Sequence, residues 1–193
     1  MKRICVFAGS ASGGRPAYAD AARKLGAELV RRGIDLVYGA GRVGLMGELA
    51  DAVLASGGHV IGVIPHALRR KEVVHDGIQD LRVVETMHER KAQMAAEADG
   101  FLALPGGVGT LEELSEVFTW AQLGIHDKPC ALLDVEGYYR PLLEFFDRAV
   151  RDELLRIQHR DMLLVGDEPA LLLDRMASYT APERTKWLAE GET

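Results

Sequence analysis

Two residues of opposite charge, Arg90 and Glu113, are the strongest candidates for chemistry in this sequence. Arg90 belongs to the stretch MHERK, and Glu113 follows the glycine-rich stretch PGGVGT. Met87, Arg90 and Met94 are spaced i, i+3 and i+7, so a helix here would place the arginine on an apolar stripe. A guanidinium in that position suits a phosphate or a carboxylate, which it binds through two parallel N–H groups. The alternative is an ordinary surface arginine whose stem covers apolar neighbours.

Glu113 also has two interpretations. Thr110 and Glu113 fit the T-x-x-E pattern of a capping box, in which the glutamate side chain closes back onto the helix start. This interpretation predicts a helix that begins just after Thr110. The same carboxylate, placed beside a glycine-rich turn, is equally suited to act on a bound ligand.

Three glycine-rich turns follow apolar runs, and they indicate a binding site made from backbone. They are FAGSASGG (7–14), VYGAGRVGLMG (37–47) and LPGGVGT (104–110). In a parallel sheet, the turns that follow the strands gather at one edge, where ligands bind. A glycine turn that leads into a helix presents free N–H groups and the positive end of the helix dipole to an anion. We therefore expect these turns to form a phosphate cradle.

A dinucleotide site is a weaker alternative. Gly39, Gly41 and Gly44 satisfy G-x-G-x-x-G, but that fingerprint needs an acid at the end of the next strand to bind the ribose hydroxyl. The next apolar run, HVIGVIP, ends in Pro65 and is followed by His66. The sequence also lacks metal-ligand spacing of His and Cys, a G-x-S-x-G elbow and a P-loop. A nicotinamide or flavin cofactor, metal catalysis and P-loop hydrolysis are therefore disfavoured.

Apolar runs and helical patterns alternate along the chain. The predicted strands are Arg3–Ala8, Asp35–Tyr38, His59–Ile64, Leu81–Val84, Phe101–Leu104 and Cys130–Leu133. The predicted helices are Ala17–Arg32, Leu45–Ser56, Met87–Ala98, Leu111–Leu123, Tyr138–Arg151 and Pro169–Tyr179. This order predicts an α/β fold, a single-domain doubly wound (Rossmann-like) parallel sheet with helices on both faces. We expect this domain to span residues 1–179, with a polar tail at 180–193 and an irregular flap, Arg69–Asp80, beside the site.

Composition narrows the classes of function. The chain has 193 residues, 48% of them hydrophobic and 27% charged, with a formal net charge of -6. That charge argues against general binding of nucleic acid, which needs a basic surface. Apolar segments fall well short of the roughly 18 residues that span a membrane. Cys5 and Cys130 lie in apolar runs and are expected to be buried thiols rather than a disulfide, so a cytoplasmic protein is predicted.

Four motifs together resemble one known family. PGGVGTLEE (105–113) fits P-G-G-x-G-T-x-x-E, MHERK (87–91) fits M-x-x-R-K, and YGAGRVGLMG (38–47) and WAQLGIHDKP (120–129) also match. The chain is similar to the Lonely Guy (LOG) family of cytokinin riboside 5′-monophosphate phosphoribohydrolases from Arg3 to about Arg175. It departs from the common pattern at Ala8, where many members have Cys, and at Ala40, which interrupts a triple glycine.

The resemblance implies hydrolysis of the N-glycosidic bond of an N6-modified AMP, which releases the free base and ribose 5-phosphate without a cofactor. It implies that Glu113 stabilises positive charge on the sugar and directs the attacking water, while Arg90 engages the substrate across the sugar. It also implies a homodimer with the site near the interface. The remaining residues implied in binding phosphate, ribose or base are Gly9, Ser10, Gly41, Gly44, Met46, Glu72, Met87, Lys91, Pro105, Gly106, Gly107, Val108, Gly109, Thr110, Leu111 and Glu112.

Two other functions remain to be weighed against this one. A non-catalytic nucleotide carrier or sensor would use the same P-G-G-x-G-T cradle, although the pair of Arg90 and Glu113 favours an enzyme. Family members are often labelled lysine decarboxylases, but pyridoxal phosphate chemistry needs a Schiff-base lysine. Lys91 is the lysine nearest the predicted site, and it follows Arg90 on a helix already assigned to phosphate. We therefore expect no such cofactor.

Overall fold

A seven-stranded parallel sheet forms the centre of the protein, whose computed structural model describes residues 1–69 and 74–182. The strands are β1 (Arg3–Phe7), β2 (Asp35–Tyr38), β3 (Val60–Pro65), β4 (Asp80–Val84), β5 (Gly100–Ala103), β6 (Cys130–Leu133) and β7 (Leu163–Gly166). Their order across the sheet is β4-β3-β2-β1-β5-β6-β7. The central strands are buried along nearly their whole length, which explains why they are continuous apolar runs in the sequence.

Helices cover both faces of this sheet. They are α1 (Pro16–Arg31), α2 (Gly44–Ala55), α3 (His66–Arg69), α4 (Met87–Glu97), α5 (Val108–Leu123), α6 (Arg140–Arg151), α7 (Ile157–Asp161) and α8 (Pro169–Ala177). One buried core joins the sheet to α1, α2 and α8, and the other joins it to α4 and α5, with α6 packed at its edge. The predicted doubly wound α/β fold with helices on both faces is confirmed.

The strand order reverses direction at β1. The chain builds the sheet outward from β1 to β4, then returns to the other side of β1 for β5. Cys5 on β1 is therefore paired with Val37 on one side and with Phe101 on the other. A crevice opens between the carboxyl ends of two strands at such a switch point. The glycine turns at 7–14 and 104–110 follow the two strands that border this crevice.

The structure adds elements that the sequence patterns did not predict. The edge strand β7 and the short helices α3 and α7 were missed. Each has four or five residues, too few for a periodic pattern to emerge from the surrounding polar sequence. The predicted tail at 180–193 and the predicted flap lie partly outside the described residues, so their limits remain predictions.

The start of α5 differs from the prediction in a way that concerns the site. The helix begins at Val108, with Gly107 as its N-cap, rather than at Leu111 after a Thr110 cap. The glycine adopts an extended conformation that lets the helix begin directly from the turn. Thr110 thus lies within the first turn and is buried.

Both cysteines are buried and free, as predicted, Cys5 on β1 and Cys130 on β6. Burial raises the pKa of the Cys130 thiol to about 12. Within residues 1–69 and 74–182, the helices are too short or too polar to cross a membrane.

The packing of α1 against α2 generates a stability prediction at Gly26. A Cβ there would lie 2.8 Å from Ala52 Cβ and 2.9 Å from the Leu49 carbonyl oxygen. Gly to Ala inside a helix normally stabilises by about 1 kcal/mol. Here we expect Gly26→Ala to lower the free energy of unfolding by about 1–3 kcal/mol, because the two helices must separate. Urea unfolding measures this change.

Gly14→Ala is the matched control, because a Cβ at Gly14 meets no atom within 4 Å. Its free energy of unfolding should stay within about 0.5 kcal/mol of the parent value. A stabilised Gly26→Ala protein would show that the two helices are not in close contact.

Candidate functional site

A cavity of about 310 Å³ lies at the switch point, at the carboxyl ends of the central strands. It brings together eleven of the residues that the sequence analysis predicted for the site: Gly9, Ser10, Met46, Met87, Arg90, Gly107, Val108, Gly109, Thr110, Glu112 and Glu113. Ala8 also lines it and was not predicted as a site residue. The lining thus combines one buried cation, two carboxylates, two methionines and a wall of backbone.

The glycine turns are locked together beside this cavity. The Gly9 N–H group donates to the Pro105 carbonyl oxygen at 3.1 Å, which joins the turn after β1 to the turn after β5. Gly44 has a φ of 67°, and any side chain there would collide with the backbone of Ser10. A side chain at Gly106 would collide with Thr110. These glycines therefore allow three turns to come into backbone contact, as the sequence predicted.

The N-terminus of α5 faces the same cavity. The first hydrogen bond within the helix runs from the Leu111 N–H group to the Gly107 carbonyl oxygen, at 3.2 Å. The amides of Val108, Gly109 and Thr110 come before that bond and have no acceptor within the helix. All three residues line the cavity. Because α5 has 16 residues, a full helix dipole adds to these free donors, and the arrangement can bind an anion such as a phosphate.

Arg90 is buried, with 8% of its surface exposed, and its charge is held by backbone carbonyl groups. Its Nε donates to the Val63 carbonyl oxygen at 3.1 Å, and its Nη2 donates to the Gly39 carbonyl oxygen at 3.3 Å. Gly39 also provides space, because a side chain at this position would occupy the site of the guanidinium. The interpretation of Arg90 as an ordinary surface charge is therefore wrong. The role of Gly39 in making room for Arg90 was missed, since the sequence placed this residue only in a glycine-rich turn, a family motif and a dinucleotide pattern.

Glu113 lies beside Arg90, with its Oε1 atom 3.9 Å from Nη2 of the arginine. Its side chain is only 16% exposed. Burial raises the pKa of this carboxyl above its ordinary value, and the charge of Arg90 opposes that rise only in part. A carboxylate with a raised pKa in a cleft is typical of a group that exchanges protons during catalysis.

The alternative interpretation of Glu113, as part of a capping box, does not hold at this helix start. Gly107, not Thr110, is the N-cap of α5, so Glu113 lies six residues after the cap. A box with the same T-x-x-E pattern begins α4, where the Glu89 N–H group donates to Thr86 Oγ1 at 3.1 Å. The Glu89 carboxylate accepts in turn from the Glu85 N–H group at 2.9 Å. Glu113 is thus free of a capping role.

Among the described residues that line the cavity with Arg90, Lys91 is not included, although its partner Glu112 is. Its Nζ donates to Glu112 at 2.5 Å and to Glu116 at 3.0 Å. The hydrogen bond to Glu112 is the main cause that raises the pKa of the ammonium group. Lys91 therefore links α4 to the first turns of α5 and positions Glu112 at the cavity.

The other predicted residues support the cavity from behind or lie outside the described ranges. Pro105 and Gly106 face a neighbouring cavity of about 270 Å³, which shares Gly9, Ser10 and Gly107 with the first. Gly41 contacts Met46, where a side chain would lie 2.6 Å from its terminal methyl group. Gly44 and Leu111 do not line the cavity within the part of the chain that the structure describes. Glu72 belongs to residues 70–73, which lie outside the part of the chain that the structure describes.

Within residues 1–69 and 74–182, no group of three or more His, Cys, Asp or Glu side chains is arranged to hold a metal ion.

Comparison with known proteins links this geometry to a family. The sequence profile of a family described as "Possible lysine decarboxylase" matches residues 46–176. The probable cytokinin riboside 5′-monophosphate phosphoribohydrolase LOGL9 of Oryza sativa subsp. japonica is 54% identical over 179 residues, which cover 93% of this chain and 79% of that protein. The cytokinin riboside 5′-monophosphate phosphoribohydrolase LOG1 of Arabidopsis thaliana is 52% identical over 179 residues, covering 93% and 84%.

Solved structures show the same fold at much lower identity. The molybdenum cofactor carrier protein of Chlamydomonas reinhardtii superposes with a TM-score of 0.70 at 20% identity, over 92% of this chain and 99% of that one. The molybdenum cofactor binding protein of Rippkaea orientalis gives 0.68 at 19% identity, over 92% and 97%. At this identity the likeness concerns the fold alone. The identities above 50% with the two plant proteins, spread over almost the whole chain, show that this protein belongs to the Lonely Guy family, whose sequence profile carries the description of a possible lysine decarboxylase.

Proposed function

We propose that this protein hydrolyses the N-glycosidic bond of adenosine 5′-monophosphate or an N6-modified form, releasing the adenine-type base and ribose 5-phosphate. The observation that carries this proposal is the Arg90–Glu113 pair, 3.9 Å apart and largely buried, in the same cavity as the N-terminus of α5. The helix start binds an anion, and the charged pair lies where the sugar of a bound nucleotide would reach. The related plant proteins are phosphoribohydrolases by name, which supports the same reaction.

The reaction needs stabilisation of positive charge on the ribose. As the bond from C1′ to the base breaks, the base leaves with the electron pair and gains a proton, and the sugar takes on oxocarbenium character. A Glu113 carboxylate close to C1′ stabilises that charge and accepts a proton from the attacking water, whose oxygen then bonds to C1′. Its raised pKa favours this proton transfer near neutral pH. Arg90 engages the substrate across the sugar and keeps Glu113 oriented.

The phosphate is bound by backbone rather than by side chains in this proposal. The free amides of the first turn of α5 supply the donors, and the interlocked glycine turns hold them in place. Met46 and Met87 supply apolar surface at the same cavity, which suits the flat face of a base. Glu72 is proposed to contact the base, from the family resemblance alone.

A non-catalytic carrier is the alternative function, and a decarboxylase is a further one. The carriers among the structural neighbours share the fold at about 20% identity, whereas the hydrolase relatives share more than half of the residues. A carrier has no need of a buried carboxylate beside a buried arginine. A Schiff base at Lys91 would require a neutral amine, but Glu112 and Glu116 favour its charged form. Hydrolysis is therefore the function best supported.

We further propose a homodimer that pairs through α6. This helix has no buried residue, yet Phe145 is 64% exposed on it and Leu154, just after it, is 84% exposed. A largely apolar hollow of about 450 Å³ lies between α5 and α6. A second copy is the occupant that fits, because α5 borders both this hollow and the cavity with Glu113. Pairing here would bring the partner next to the site, as the family resemblance implies.

The cytoplasm is the proposed location. Cys5 and Cys130 are buried free thiols, which are typical of a reducing compartment.

The central test is the requirement for the 5′-phosphate. The anion-binding amides have no partner in an uncharged nucleoside. The kcat/KM for adenosine should therefore be lower than that for AMP by at least about 100-fold. Chromatographic detection of the free base, together with ribose 5-phosphate, measures both reactions. Binding of AMP without release of either product would instead support the carrier.

Glu113→Gln tests the catalytic carboxylate. The amide lacks the charge and the basicity, so kcat for AMP should fall by about 10²- to 10⁴-fold while binding of AMP is retained. The raised pKa of Glu113 means that ionising this buried group costs stability as the pH rises through that pKa. The variant should therefore melt at the same temperature as the parent or higher at pH 7. In the parent protein, activity should decrease as the pH is lowered through the pKa of Glu113, which lies above the ordinary value for glutamate.

Glu89→Gln is the matched control, the same substitution in a true capping box. Glutamine still caps, so this variant should retain parental kcat and melting temperature. Equal activity in both variants would remove Glu113 from the mechanism.

Phe145→Glu tests the dimer. A charge in the centre of the apolar α6 face should convert a dimer to a monomer, as measured by sedimentation velocity. Leu171→Glu is the control, since Leu171 is also 64% exposed but lies on α8. Pairing through α6 would be contradicted by a parent protein that sediments as a monomer, or by a Phe145→Glu variant that remains a dimer.

A further inference from the structure

Two adjacent tyrosines, Tyr138 and Tyr139, reach from the turn after β6 to the turn after β5. A short 3-10 turn, Val135–Gly137, precedes them and includes two residues with positive φ, Glu136 at 51° and Gly137 at 72°. The Tyr139 N–H group donates to Asp134 Oδ1 at 2.6 Å, which ties the end of this turn to its start. Neither tyrosine was predicted as a site residue. Their hydroxyl groups are directed at the backbone of the phosphate cradle.

Three consecutive carbonyl groups of the cradle each accept a hydrogen bond. The Tyr139 hydroxyl donates to the Leu104 carbonyl oxygen at 2.6 Å. The Gly9 N–H group donates to the Pro105 carbonyl oxygen at 3.1 Å. The Tyr138 hydroxyl donates to the Gly106 carbonyl oxygen at 2.6 Å. All three carbonyl oxygens are thus held in place by donors from neighbouring parts of the chain.

The third of these bonds fixes an amide as well as a carbonyl. In a planar trans peptide the C=O and N–H groups point in opposite directions. Holding the Gly106 oxygen towards Tyr138 therefore directs the Gly107 N–H group the other way. Gly107 lines both cavities, whereas Gly106 and Tyr138 line only the neighbouring one, so an N–H group directed away from Tyr138 is directed towards the cavity with Glu113. The Gly107 amide thus lies on the side of the loop where the phosphate is proposed to bind.

This peptide is the one in the cradle that most needs such a restraint. Glycine on both sides leaves little steric resistance to rotation of the peptide plane. A rotated peptide would present the Gly106 carbonyl oxygen, a partial negative charge, to the anion. The Leu104–Pro105 peptide differs, because proline has no N–H group to direct.

We infer that Tyr138 is a positioning residue for recognition of the phosphate: its hydroxyl holds the Gly106–Gly107 peptide with the N–H group towards the anion. This inference rests on the proposed function for the identity of the ligand. Tyr138 itself does not touch the substrate, since it stands on the far side of the loop. Its ring is held edge-on by Tyr18, with ring centres 5.5 Å apart, so the phenol is placed independently of the hydrogen bond.

Tyr138→Phe tests this inference, because the ring stays and only the hydroxyl is lost. Calorimetric titration with ribose 5-phosphate should show binding about 2- to 12-fold weaker than in the parent, the range that one hydrogen bond sets. Titration with adenine should be unchanged. In turnover of AMP, KM should rise by the same factor, while kcat changes by less than about twofold. The melting temperature should stay near that of the parent.

Two further variants separate this role from general support of the loop. Tyr18 lines the same neighbouring cavity, and its hydroxyl makes no hydrogen bond to the described residues. The Tyr18→Phe variant should therefore bind ribose 5-phosphate as the parent protein does. Tyr139→Phe removes the bond to the Leu104 oxygen, which directs no N–H group. Because Tyr139 is buried, this change should lower the melting temperature while affinity for ribose 5-phosphate stays within about twofold.

Three outcomes overturn the inference. The first is parental affinity of Tyr138→Phe for ribose 5-phosphate, and the second is equal weakening for ribose 5-phosphate and adenine. The third is a parent protein that does not bind ribose 5-phosphate at all. Failure of the proposed function is a different result: a parent protein that binds ribose 5-phosphate but releases no base from AMP. In that case the comparison of the tyrosine variants by calorimetry still decides the role of Tyr138.

Discussion

The site depends on one buried charge, the guanidinium of Arg90. A cation without water around it must be compensated, and here the compensation comes from the carbonyl oxygens of Val63 and Gly39 and from Glu113. Val63 lies within β3 and Gly39 directly follows β2, so the arginine binds to the sheet itself near the carboxyl ends of its strands. The guanidinium is thereby held as rigidly as the strands are, and Glu113 is oriented against a fixed partner.

The same contact constrains the neighbouring sequence. Gly39 must lack a side chain because the guanidinium occupies that space. Ala40, which follows it, has a φ of 64°, a left-handed conformation that disfavours residues other than glycine. Glycine would adopt this conformation without strain, and the structure shows that the small alanine side chain is tolerated here. The turn after β2 is therefore shaped first by its contact with Arg90 and only then by any contact with a ligand.

Fold and chemistry separate clearly in this protein. The switch point between β1 and β5, the glycine turns and the helix N-terminus make an anion site that a carrier and a hydrolase can both use. Two cofactor-binding proteins share the fold at about 20% identity. In the proposed function, the group that would turn such a site towards bond cleavage is Glu113, a carboxylate whose pKa is raised by burial beside a cation. Two side chains on α4 and α5, not the architecture, carry the proposed reaction.

The sequence by itself determined the class of fold and most of the site. Continuous apolar runs alternating with helical patterns are enough to indicate a doubly wound parallel sheet, and the glycine turns mark its binding edge, because these signals are local. Arg90 on an apolar stripe and Glu113 after the glycine turn were identified in the same way. Only the tertiary structure removed the capping interpretation of Glu113, since Thr86 with Glu89 and Thr110 with Glu113 fit the same pattern. The difference arises because α5 begins at Val108 with Gly107 as its N-cap, in a turn fixed by contacts with the loop after β1. The carbonyl partners of Arg90, the carboxylate partners of Lys91 and the tyrosines behind the cradle were likewise beyond sequence patterns, because each contact joins residues that are distant in the chain and adjacent only in the folded sheet.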